Sequence, residues 1–205
     1  MKKHIFIALM ALISLSSCSK DDPSPETDQE EVNAARLIIT PVEKQTLENK
    51  TVYIPLADGE VTELKFQAPD YTPEEGSHVH LHVGESYKLE LKTTDFMGRA
   101  SEQTFLNRPD IHQAFLLGAS DELLSFEYAD ATNVGITAYI TVKKASPSFI
   151  LNYIMRHLRA QVKQNISAQD WNNPNYRQFT GDNDLDLKFE VHLVEPDGHD
   201  EHHDH

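Results

Sequence analysis

The run Leu185-Asp-Leu-Lys-Phe-Glu-Val-His-Leu193 constrains the fold more than any other stretch, because apolar and polar residues alternate in it without a break. Successive side chains of a strand point to opposite faces, so a period of two fits a strand with one buried face and excludes a helix. Tyr87-Lys-Leu-Glu-Leu-Lys-Thr93 repeats the pattern, with Tyr87, Leu89 and Leu91 opposite Lys88, Glu90 and Lys92. Residues 36–40, 111–117, 123–128 and 136–142 read as further strands. Residues 51–56 and 60–66 flank Asp58-Gly59, a turn signal that predicts a hairpin between them, and Pro55 places the first of the two at a sheet edge. Residues 68–77, 95–110 and 164–180 read as loops. Short strands at this spacing predict an all-β fold, an antiparallel sandwich. One segment competes with that picture. Leu151, Ile154, Met155, Leu158 and Val162 recur at helical spacing, which allows a short helix near 150–166, yet Phe149, Leu151, Tyr153 and Met155 also alternate.

A second alternating run carries the chemistry. In His78-Val-His-Leu-His-Val-Gly-Glu85 three histidines share one strand face and Val79, Leu81 and Val83 share the other. Imidazole is the commonest protein ligand for a transition metal. Histidines at i and i+2 lie roughly 6–7 Å apart at Cα and can converge on one ion, whereas the third, roughly 13 Å from the first, cannot easily join them. An adjacent pair therefore needs a ligand from elsewhere, and Glu85, His112, His157 and His192 are the candidates. His192 projects from the polar face of the Leu185–Leu193 strand and reaches the pair if the two strands are neighbours. His199, His202, His203 and His205, interleaved with Asp and Glu, form a tail suited to collecting divalent cations weakly. Zinc is the first expectation, with copper or nickel as variants and haem, bound through His78, His80 or His82, as the alternative.

The formal net charge is −15, which argues against nucleic acid as a partner and is compatible with cations. Catalysis finds little footing. His78-Val-His80 with Glu85 has the spacing of a cupin metal site, but Thr72 and Lys92 stand where that motif has glycines. Gly-x-Ser-x-Gly and phosphate-loop motifs are missing too. The expectation is a binding protein, not an enzyme.

Lys2 and Lys3 precede an apolar run from Ile5 to Leu15, too short to span a bilayer and suited to a secretory leader. It closes on Leu15-Ser16-Ser17-Cys18, which resembles a bacterial lipobox and implies that Cys18, the one cysteine, carries lipid. The following Ser19-Lys20-Asp21-Asp22 resembles the acidic tag of surface lipoproteins of Bacteroidota. The polar stretch through Glu31 cannot bury enough apolar area to order itself and reads as a tether. The expected organisation is a leader over 1–17, lipidated Cys18 and tether over 18–33, a sandwich over 34–195 and a tail over 196–205.

Several short motifs extend the resemblance: Glu30-Glu31, Asp110-Ile-His112-Gln113, Leu124-Ser-Phe-Glu-Tyr-Ala-Asp130, Val134-Gly135, Leu151-Asn-Tyr-Ile-Met-Arg-His157 and Gly181-Asp-Asn-Asp-Leu-Asp-Leu-Lys-Phe189. Their order is similar to that of Bacteroidota surface lipoproteins encoded beside TonB-dependent outer-membrane receptors. That resemblance implies an immunoglobulin-like sandwich and a strand at Leu151–His157. The His78–His82 run and the histidine tail depart from the group. Together these readings predict a lipid-anchored protein of the outer membrane, exposed at the cell surface. It would capture a divalent metal and hand it to a receptor. A structural receptor accessory without metal is the remaining alternative.

Overall fold

The computed structural model describes residues 32–196; the leader, Cys18 with its tether through residue 31, and the tail from residue 197 lie outside the described residues. In chain order the strands are β1 (Ala34–Leu47), β2 (Lys50–Pro55), β3 (Thr62–Gln67), β4 (Thr72–Pro73), β5 (His78–His82) and β6 (Ser86–Thr94). A short helix α1 (Glu102–Asn107) precedes β7 (His112–Leu117), β8 (Leu124–Tyr128), β9 (Thr137–Val142), β10 (Ser146–Leu158) and β11 (Gly181–Val194). They form a two-sheet β-sandwich. The larger sheet runs β4-β3-β1-β6-β9-β8 with β2 also on β1, and the smaller runs β5-β11-β10-β7.

The alternating runs supply the apolar layer between the sheets. Leu37, Ile39, Leu89, Leu91 and Ile140 from the larger sheet meet Leu81, Leu151, Tyr153, Leu187 and Phe189 from the smaller, all buried in one core. A second, smaller core lies on the far side of the smaller sheet. There Phe115, Ile154 and Leu158 are covered by Tyr176 and Phe179. The segment after β10 thus works as a lid, with 3-10 turns at Val162–Asn165 and Tyr176–Gln178 on this core, while Trp171 of the turn at Ala168–Asn172 packs into the main core against Phe126. Arg156 fastens it by donating from Nε and Nη2 to the Phe179 carbonyl and from Nη1 to Asn183 Oδ1. The lid covers β7 and β10 through Tyr176 and Phe179.

Several local expectations change. Residues 51–56 and 60–66 do not pair with each other: β2 and β3 both pair with β1, along its second and first halves. The hairpin falls instead at Glu48-Asn49, both at positive φ, which matches the primed turn that twisted strands require. Through Leu158 the strand wins, because Leu151, Tyr153 and Met155 fill the main core while Ile154 and Leu158 fill the second, and only Val162–Asn165 of the expected 150–166 helix turns helical, as a 3-10 turn. Both faces of β10 are buried there, so the apolar residues lose strict alternation and imitate a helical period. The helix that forms, α1, lies in the stretch read as loop and buries Phe105. One pair, β5 with β11, is parallel.

Candidate metal centre

Where the main core meets one end of the smaller sheet, its apolar layer gives way to polar side chains. Along β7 the inward face reads His112, Ala114, Leu116, and along β10 it reads Leu151, Tyr153, Met155, His157. The antiparallel register sets His157 directly opposite His112. Their rings meet edge-on with centroids 4.7 Å apart.

The third member comes from a β-bulge. Met155 pairs with Leu185 but Arg156 pairs with Asn183, so Asp184 is the extra residue of β11. A bulge re-aims a side chain that strict alternation would place on the other face. Asn183 turns outward to Arg156, and Asp184 turns inward to the two histidines. Gly181, at φ +153°, holds the end of this pairing; a Cβ there would fall on the His157 carbonyl oxygen. His112, His157 and Asp184 are the one group of three ligand-type residues, among the described residues, whose ligand atoms all lie within 4.8 Å of one another.

Asp184 Oδ2 stands 3.4 Å from His112 Nε2 and 3.6 Å from His157 Nδ1, with the carboxylate side chain 0% exposed. Neither carboxylate oxygen receives a hydrogen bond. A charge-assisted N–H···O bond closes to about 2.7–2.9 Å, so both separations are too long for one. They suit a shared ion better. Two ligand atoms each about 2.0–2.1 Å from a tetrahedral zinc stand roughly 3.4 Å apart.

The tautomer points the same way. His112 Nδ1 lies 3.0 Å from the Arg108 carbonyl, which only accepts, so Nδ1–H is the donor. In the neutral imidazole Nε2 then carries the lone pair. That nitrogen is the one turned toward Asp184, where a shared ion would sit. Histidines that bind metals commonly fix their other nitrogen on a backbone carbonyl in this way.

The surroundings hold the group firmly and leave one side approachable. Phe105 of α1 packs edge-on against the His112 ring at 5.1 Å. Behind β7, Lys163 donates to the carbonyls of Pro109 and His112 at 2.7 and 2.6 Å. Burial pushes this ammonium down to about 8, against the pull of Asp130 and Asp110. His157 lines a cleft of about 390 Å³ with Ile111, Leu158, Arg159, Ala160, Gly181 and Asp182.

Comparison with protein-family models, with curated proteins and with solved structures found no match. The site therefore rests on its own geometry.

The other sequence candidates collect elsewhere. β5 lies beside β11 in parallel register, with His80 opposite His192, His78 opposite Glu190 and His82 opposite Val194. The His80 ring is 4.9 Å from His78 and 4.8 Å from His192, and His78 is 5.3 Å from His192. His78, His80, His82 and Glu85 line a cleft of about 480 Å³. Glu85 is committed to Tyr87, whose hydroxyl donates to Glu85 Oε2 at 2.8 Å and accepts from the His82 amide at 2.9 Å. His112 and His157 thus belong to a different site from the strand pair they were grouped with. Asp184 escaped the sequence reading, because alternation from Leu185 assigns it to the polar face and only the bulge brings it inward. Cys18, His199, His202, His203 and His205 lie outside the described residues.

Proposed function

We propose that the protein binds a divalent transition metal, zinc first, at His112, His157 and Asp184. The observation that carries this reading is the Asp184 carboxylate, buried without a hydrogen bond at tetrahedral-edge distances from two imidazole nitrogens. Burying an ionised carboxylate is costly unless it is paired or coordinates a metal. Two neutral nitrogens and one carboxylate form a borderline donor set that suits zinc, with copper or nickel as competitors. Three protein ligands leave a fourth position, and the cleft beside His157 offers a route by which an ion arrives and leaves. That suits capture and hand-over better than a closed structural site.

The location belongs to the same proposal. The lipobox-like Leu15–Cys18 and the polar segment after it support a lipid anchor at Cys18 in the outer membrane, with the sandwich at the cell surface beside a TonB-dependent receptor. Labelled palmitate should enter the wild-type chain and not the Cys18→Ser variant.

The binding test uses the chain from Ser19 to His205 with the four tail histidines replaced by alanine, which keeps the whole described fold. Calorimetric titration with zinc should show a tight step that weakens at least a hundredfold in His112→Ala and in Asp184→Asn. An unchanged tight step in both variants would remove the site, and a Soret band with haemin without zinc binding would redirect the reading to haem.

A further inference from the structure

The sheet that holds the buried group carries another set of imidazoles on its outer face, at the opposite end of β11. From Asp184 to Glu190 the strand advances roughly 20 Å, so the two sets share no ligand. The parallel pairing of β5 with β11 is what assembles this outer set. Parallel strands run in step, so alternating residues on one face of each strand form a two-column ladder. The rungs here are His78 with Glu190 and His80 with His192.

The rings of that ladder are spaced as around one ion, although as they stand no three of their ligand atoms lie within 4.8 Å of one another, so an ion would have to turn the rings toward a common point. Three imidazoles that bind one tetrahedral ion at about 2.0–2.1 Å place their ring centroids roughly 5 Å apart. The centroid separations of His78, His80 and His192 are 4.8, 4.9 and 5.3 Å, close to an equilateral triangle. His78 Nδ1 donates to the Gly76 carbonyl at 2.8 Å, which leaves Nε2 as its lone-pair nitrogen when the ring is neutral. Glu190 Oε1 is 3.3 Å from His192 Nε2 and supplies a carboxylate at the rim of the triangle.

We infer that His78, His80 and His192, with Glu190 as fourth donor, form a second metal site, open to solvent, for a borderline divalent ion such as zinc or copper. Side chains of His192 and Glu190 are 33% and 45% exposed, so water competes for these two ligands and the ion exchanges readily, while His80 Nε2 is buried beneath them. Binding here is weaker than in a dry interior and does not brace the core. The site stands independently of the buried group, because no residue is common to both.

The test is a zinc titration against a chromophoric chelator on the Ser19–His205 chain with alanine at the four tail histidines. The parent is expected to take up two equivalents, and His78→Gln with His192→Gln is expected to take up one while melting within a degree or two of the parent. Copper(II) provides a second readout: its electron paramagnetic resonance signal should show nitrogen hyperfine lines from several imidazoles in the parent and lose them in the double variant. Equal uptake and an unchanged copper signal in parent and double variant would overturn the inference. If the parent takes up a single equivalent and the double variant loses it, the outer site stands and the buried reading fails instead. If that single equivalent survives in the double variant, the outer site is refuted.

Discussion

At one end of β11, Asp184 lies buried with its carboxylate 3.4 and 3.6 Å from two imidazole nitrogens; at the other end, His192 meets His78 and His80 with a third of its side chain exposed. Similar ligand chemistry is set on opposite faces of one sheet by different devices. The inner group needs antiparallel register between β7 and β10 and a bulge in β11. The outer group needs only parallel register between β5 and β11. Burial then decides what each can do. In the interior a carboxylate without a hydrogen bond raises the energy of the metal-free fold, so an ion there should bind tightly and stabilise the protein. On the surface His192 and Glu190 stay solvated, so an ion there should come and go with little consequence for folding.

The contrast breaks first where packing supports the inner group alone. Phe105→Ala removes a fully buried ring that touches His112. It is expected to cost about 3–5 kcal/mol in denaturant unfolding and to weaken the inner site while sparing the outer one. Equal weakening of both would show that the two are mechanically one.

Zinc itself sharpens the comparison next. At a free concentration about a hundred times the dissociation constant, binding to the folded state alone contributes about 2.7 kcal/mol. For a domain of this size that is a rise of about 5–10 °C in melting temperature. Calorimetric scans should show the rise in the tail-substituted parent and lose it in Asp184→Asn. His192→Gln should keep it.

Lys163, behind β7, gives the fold itself a pH signature. Its pKa falls to about 8 in the folded state because burial penalises the ammonium, so the folded protein releases this proton earlier than the unfolded chain does. Below pH 8 both states are charged and the full penalty stands. Between pH 8 and its ordinary value of 10.5 the unfolded chain binds more protons, so stability from this group rises with pH. The rise should be on the order of 1 kcal/mol after allowance for screening by water, and Lys163→Met should flatten it in urea titrations across that range. The smallest effect belongs to the outer face. His192→Gln should change stability by less than about 0.5 kcal/mol, as surface substitutions do.

The sandwich was legible because period-two alternation is a direct image of a half-buried strand, as in Leu185–Leu193 and Tyr87–Thr93. Pairing was less legible. Asp58-Gly59 suggested a hairpin, yet β1 is long enough to bind β2 and β3 end to end, and nothing local in the sequence encodes that. The β10 segment imitated a helix because the lid buries its second face, a tertiary fact. The same limit governs the sites. His78, His80 and His192 could be named from their faces, since exposure follows alternation, but their meeting depends on a parallel pair that pairs residues far apart in the chain. His112 and His157 were visible as single residues, not as partners. Asp184 was hidden altogether, because a bulge reverses the face that counting assigns. A polar Asp182-Asn-Asp184 opening just before the cleanest strand is the local trace it leaves.

Zinc-edge anomalous diffraction from crystals grown with one equivalent of zinc, using the tail-substituted chain, tests the buried site most directly. The expected result is a peak about 2.0–2.2 Å from His112 Nε2, His157 Nδ1 and Asp184 Oδ2. A peak confined to the outer face of β5 and β11, with the Asp184 carboxylate still bare, would contradict it.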